Sequence, residues 1–166
     1  MTSGIHRILV ATDFSEASDS AIDYAAALAR QLSVSLYVIH VLDNLYPQGV
    51  WDFHLPETGE TRSRHEYAVR SDLVKIAARV EQAGVHVTTD VREGTPADEI
   101  VTAARQFGAD LIVMATHGRS GLPHLLLGSV AERVLRKANC PVLAFRAVAA
   151  AHAGVVTHAV HAGTVA

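Results

Sequence analysis
At 166 residues the chain has the length of a single domain and can bury a substantial core without disulfide or metal staples. Lys and Arg number 14 against 17 Asp and Glu, a mildly acidic balance that argues against holding nucleic acid by bulk charge. No segment approaches the roughly 20 apolar residues of a membrane span, and the apolar run Ile8–Ala11 is broken by Asp13 too soon for a signal peptide, so a cytoplasmic protein is expected.

Arg7 to Thr12 reads as a first strand, with Asp13 at its carboxyl end and Ser15 placed to cap a helix. In that helix Ala21, Ala25, Leu28 and Leu32 recur at helical spacing beside Ile22 and Ala29, and the small alanines allow close approach to a sheet. Val34 to Leu42 is a second strand. Residues 44–61 lack any period and carry Pro47, Gly49, Pro56 and Gly59, which predicts a long loop. Trp51 and Phe53 within it are expected to anchor it to the domain, with ligand cover as the alternative. A helix from about Arg62 to Ala83 turns Leu73, Ile76, Ala77 and Val80 inward and stops at Gly84. Val85 to Val91 alternates as a third strand. Thr95-Pro96-Ala97-Asp98 opens a helix with a cap residue, a first-turn proline and an acid; Ile100, Val101, Ala104 and Phe107 face inward and Gly108 ends it.

Leu111–Ala115 is a short aliphatic run that suits a buried strand. A loop with Gly118, Gly121 and Gly128 follows. Ser129 and Glu132 are spaced as a capping box, Val130, Val134, Leu135 and Ala138 form one apolar face, and Arg136 and Lys137 suit the last turn of the helix. Asn139 and Pro141 end that helix, and Val142–Phe145 is another buried strand. The single cysteine, Cys140, rules out an internal disulfide, fits a reducing compartment and is expected to be a buried thiol. Strand, glycine loop and helix start in that order make an anion site, because first-turn amides lack helical partners and glycine lets them converge. A plain turn with a self-capped helix fits the same local features.

The order βαβαβαβαβ predicts a parallel sheet with helices on both faces. Past Phe145 the residues are small and without caps, so a domain over 1–147 and a poorly ordered tail over 148–166 are expected. His158-x2-His161 in that tail is a weak metal signal, and no metal site is assigned to it.

The spacing Ala115-x2-Gly118-x9-Gly128-Ser129 resembles the nucleotide-binding signature of the universal stress protein family, G-x2-G-x9-G-[S/T]. The words VMATHGRSG, LLLGSVAERVLRKANCPVL and ILVATDFSEAS are similar to that family almost residue for residue, over roughly residues 5 to 146. The chain departs from the pattern at Ala115, where the family has its first glycine. The resemblance implies a single open-sheet Rossmann-like domain of the adenine nucleotide alpha hydrolase-like type, five parallel strands in the order 3-2-1-4-5 with four helices. In that order the first and fourth strands are neighbours and their helices leave to opposite faces, where open α/β sheets bind ligands.

The resemblance further implies ATP, with Mg2+ as its companion cation. Ala11, Thr12 and Asp13 would then stand at the end of the first strand, Asp13 near the ribose or, through the cation, the phosphates. Val41 and Met114 would wall the adenine. Ala115, Thr116, His117, Gly118, Arg119, Gly128, Ser129 and Val130 would surround the phosphates, with amides of Gly118, Gly128, Ser129 and Val130 as donors. It implies a non-catalytic stress-response or signalling protein that forms homodimers through its last strand, Val142 to Phe145, and acts on a protein partner. Three other readings compete. A weak ATPase or adenine-nucleotide hydrolase lacks both the G-x4-G-K-[S/T] loop and a G-x-S-x-G elbow around Ser120. An RNA clamp at Gly118-Arg119-Ser120-Gly121 would need flanking helices, yet a strand precedes it. A family member that has lost its nucleotide would owe that loss to Ala115.

Overall fold
The computed structural model describes residues 4–43, 59–116, 127–146 and 158–160. In chain order these form β1 (Arg7–Ala11), α1 (Glu16–Leu32), β2 (Ser35–Asp43), α2 (Gly59–Gln82), β3 (Val87–Gly94), α3 (Pro96–Phe107), β4 (Leu111–Ala115), α4 (Ser129–Lys137), β5 (Val142–Phe145) and β6 (His158–Val160). The sheet runs β3-β2-β1-β4-β5-β6; the first five strands are parallel, in the expected order.

Alternation along the strands decides which helix covers which face. Ile8 and Val10 of β1, with Leu111 and Val113 of β4, pack on α1 and α2 through Ala21, Ile22, Ala25, Leu73, Ile76 and Val80. Their neighbours Leu9, Ile112 and Met114 point the other way, onto Ile100, Val101 and Ala104 of α3 and Val134 of α4. Ala21, Ala25 and Ala29 recur one turn apart and are fully buried, so α1 lies close against the sheet. Leu32 departs from the inward face expected of it: it is the last residue of α1 and is 43% exposed.

Helix ends follow local chemistry. The Ser15 side chain accepts from the Ser18 amide at the start of α1, and Thr95 stands before Pro96 at the start of α3. Gly108 closes α3 at φ 67°, where a side chain is disfavoured. Strand β3 begins two residues later than expected and runs on to Gly94 because it pairs with β2 as far as Asp43. Cys140 is half-buried, and burial, aided by the Asp110 carboxylate, pushes its thiol up and keeps it protonated.

The tail departs from expectation. His158–Val160 pairs antiparallel with β5, setting Val142 opposite Val160 and Ala144 opposite His158. The sheet edge read as open to a second copy therefore has a strand of the same chain on it. Trp51, Phe53 and the rest of the loop over 44–58 lie outside the described residues, as does His161. Among the described residues no helix is long and apolar enough to cross a membrane.

Candidate functional site
A cavity of about 310 Å3 opens at the carboxyl ends of β1, β2 and β4, within the size range of small-molecule sites. It lies where β1 and β4 are neighbours and the chain leaves them to opposite faces, α1 to one and α4 to the other. Such a reversal leaves a crevice between the departing segments.

Of the residues singled out from sequence, β1 and the turn after it contribute Ala11, Thr12 and Asp13 to the lining. β2 gives Val41, β4 and its end give Met114, Ala115 and Thr116, and the start of α4 gives Gly128, Ser129 and Val130. His117, Gly118 and Arg119 lie outside the described residues. Pro96 and Ile100 of α3 add apolar wall, and Ser18, His40, Asp43 and His65 add polar groups that the sequence reading missed. His40 had a signal: it is the one basic side chain in the otherwise apolar run Leu36–Leu42. His65 had none, since it falls among Arg62, Arg64 and Glu66 near the start of α2, where a histidine is unremarkable.

The turn from β1 into α1 is held by a chain of short bonds. The Ser18 hydroxyl donates to the Ser15 carbonyl at 2.9 Å. Its single proton is thereby used, so across the 3.1 Å contact between them the Thr12 hydroxyl donates to Ser18. Thr12 Oγ1 in turn accepts the Phe14 amide at 3.0 Å. Asp13 Oδ1 accepts from the Ser15 amide at 3.1 Å and from its hydroxyl at 2.6 Å. The carboxylate read as a ligand group is thus also a structural clamp on this turn. Phe14 sits at φ 61°, a left-handed conformation that costs a residue with a side chain about 1–2 kcal/mol. Its ring lies 4.5 Å from that of His40.

Two expectations for α4 are corrected. Its cap is Gly128, extended at φ −74° and ψ 156°, and Ser129 is the first helical residue, so the capping box does not form. Glu132 instead bonds Arg136 one turn on. Further, the Gly128 amide donates to the Thr116 carbonyl at 2.7 Å, which removes it from the set of phosphate donors. The amides of Ser129 and Val130 remain. Among the described residues nothing accepts from them, and a glycine cap offers no side chain to do so. They belong to the cavity wall, at the positive end of the α4 dipole. Among the described residues no three His, Cys, Asp or Glu side chains gather as a metal ligand set.

The sequence profile of the universal stress protein family matches residues 4–146. The chain belongs to the universal stress protein family. It is 39% identical over 145 residues to universal stress protein MJ0531 of Methanocaldococcus jannaschii, covering 82% of this chain and 79% of that one. Among solved structures, this universal stress protein superposes on the hypothetical protein MJ0577 with a TM-score of 0.76 at 30% identity, over 87% of this chain and 97% of the other. It also matches the universal stress protein of Archaeoglobus fulgidus solved in complex with dAMP, with a TM-score of 0.60 at 26% identity, covering 82% and 94%.

Proposed function
We propose that this universal stress protein binds an adenine nucleotide, ATP in the first instance, in the cavity at the ends of β1, β2 and β4, and works as a non-catalytic stress or signalling protein in the cytoplasm. One observation carries the reading: the uncapped first turn of α4, with the Ser129 and Val130 amides, lines the same cavity as the apolar residues Val41, Met114 and Ile100. A flat apolar base and an anionic tail on one ligand match those two kinds of wall. A relative in complex with dAMP supports the adenine half of the assignment.

Asp13 adds a carboxylate to the lining of the same cavity. Mg2+ is held by one or two carboxylates together with phosphate oxygens, so this donor set fits Mg2+ as a companion to the nucleotide. Polar side chains at the cavity support a binding role over a catalytic one. Thr12, Asp13, Ser15 and Ser18 bond one another, which commits these hydroxyls and the Asp13 carboxylate to holding the turn. Homodimerisation through β5 and a protein partner complete the proposal.

Denaturing freshly purified protein and identifying what it releases is the test. Near-stoichiometric ATP or AMP supports the reading. An empty extract, followed by no heat on titration with ATP, ADP or AMP, overturns it.

A further inference from the structure
The match to the universal stress protein family ends at residue 146, and β6 lies beyond it, at His158–Val160. That short strand is an addition to the family domain, and it pairs with one of the two outer edges of the parallel sheet, the one on β5. We infer that the chain's own β6 competes with a second copy of the chain for the β5 edge, so that tail release sets the oligomeric state. The inference rests on the dimer reading above.

Exclusivity follows from backbone chemistry. Each edge of a strand presents one row of amides and carbonyls, and a row already laddered to one partner has none left for another. β6 satisfies that row opposite Val142, Leu143 and Ala144. A copy pairing through β5 must therefore displace it.

Displacement is within reach because the ladder is short: three residue pairs, on a strand closed by a connection of 12 residues, 146–157. Three-residue strands sit at the low end of natural lengths, so few backbone bonds hold β6 to the edge. The same connection keeps β6 close to β5, at an effective concentration of the order of millimolar, well above that of a second copy at micromolar protein. Cis pairing then prevails in dilute solution and yields as the protein is concentrated. Two tails must leave for one dimer to form. If each edge is capped about ten times in eleven, dimerisation weakens about a hundredfold, the square of the single-edge factor.

Proline disables β6 in the full chain. In an antiparallel ladder successive amides point to opposite sides, so His158→Pro with Ala159→Pro removes at least one amide directed at β5. Wild type and this double variant are compared by sedimentation from 1 to 100 micromolar. In a second variant a protease site inserted within 147–157 is cut after folding, which frees β6 without altering the folded domain. The expected result is dimer formation at concentrations at least tenfold lower for both variants than for wild type. Equal dimerisation of all three overturns the competition and leaves the dimer reading standing. Monomers throughout overturn both. A dimer that forms only in wild type also overturns the inference, because β6 would then be joining copies rather than separating them.

Discussion
His40 Nδ1 lies 2.8 Å from the carbonyl oxygen of Thr12, and both residues are buried. A carbonyl only accepts, so the proton is on Nδ1 and the imidazole donates. The Thr12 amide already donates to the Ile39 carbonyl at 2.9 Å. A side chain thus extends the β1–β2 ladder one step past the last paired residues, Ala11 and Ile39, and holds the turn that carries Asp13. His40→Leu removes the donor and leaves Thr12 short of a partner, at a cost of about 1–3 kcal/mol in urea denaturation. His40→Asn, whose amide nitrogen stands near the Nδ1 position, is expected to recover part of that loss. Equal stability of His40→Leu and wild type would show that the contact does not hold the turn.

Much of this arrangement is readable in the residues themselves. The aliphatic runs at Ile8–Ala11, Leu36–Leu42 and Leu111–Ala115 are short, lack any helical period and are covered on both faces, which is what a central parallel strand requires. Helix ends were legible where a special residue marks them, as at Ser15, Pro96 and Gly108. They were not legible where an ordinary residue does the work. Ser33 closes α1 in the left-handed conformation at φ 56°, a task for which glycine is the usual sign. Gly128 displaced Ser129 as the cap of α4 because its amide is drawn to Thr116, a contact between residues 12 positions apart that no local pattern encodes. Strand β6 was missed for the same reason: three small or weakly patterned residues become a strand only once β5 is beside them.

Ser129 separates the amide from the hydroxyl as a phosphate ligand. Proline is tolerated at the first helical position, and Gly128 before it is already extended, as a residue preceding proline should be. Ser129→Pro therefore deletes one amide and the hydroxyl while keeping the helix, and Ser129→Ala deletes the hydroxyl alone. A bond to a charged group is worth about 1.5–3 kcal/mol, so Ser129→Pro should weaken ATP binding by roughly 10- to 150-fold in calorimetric titration, with little change in thermal midpoint. Unaltered affinity would move the phosphates away from α4.

Acid stability has a separate origin, away from the cavity. Burial disfavours the charged form of Asp90, but the Tyr37 hydroxyl at 2.6 Å and the Arg92 Nε at 3.0 Å outweigh it and hold the carboxyl below its ordinary range. The same contacts act on the partners. Burial and the bond to Asp90 raise the Tyr37 phenol, while Asp90 and Tyr37 raise the Arg92 guanidinium against the opposing effect of burial. A carboxylate depressed in the folded state contributes stability that is fully present above its unfolded value, about 3.9, and is lost as pH falls through the folded one. Asp90→Asn should therefore be less stable than wild type near neutrality and lose less on acidification below about pH 4. Urea midpoints at pH 7, 4 and 3 check this, and parallel curves for the two proteins would refute it.

Ala115 decides whether the departure from the family signature matters. It is the last residue of β4, paired in register with Phe145 of β5, and its half-buried side chain is part of the cavity wall. A methyl at a strand end occupies little of a cavity of about 310 Å3, and neighbouring Thr116 is held by its amide to the Phe145 carbonyl at 2.8 Å, so the backbone there has no slack to collapse inward. The expectation is therefore that a bound nucleotide accommodates the alanine. Ala115→Gly should leave ATP affinity within about threefold, less than the 1.4 kcal/mol that a tenfold change represents. Ala115→Leu adds three carbons into the same space and should weaken binding more than tenfold. A gain of tenfold or more in Ala115→Gly would instead show that the wild-type methyl crowds the ligand.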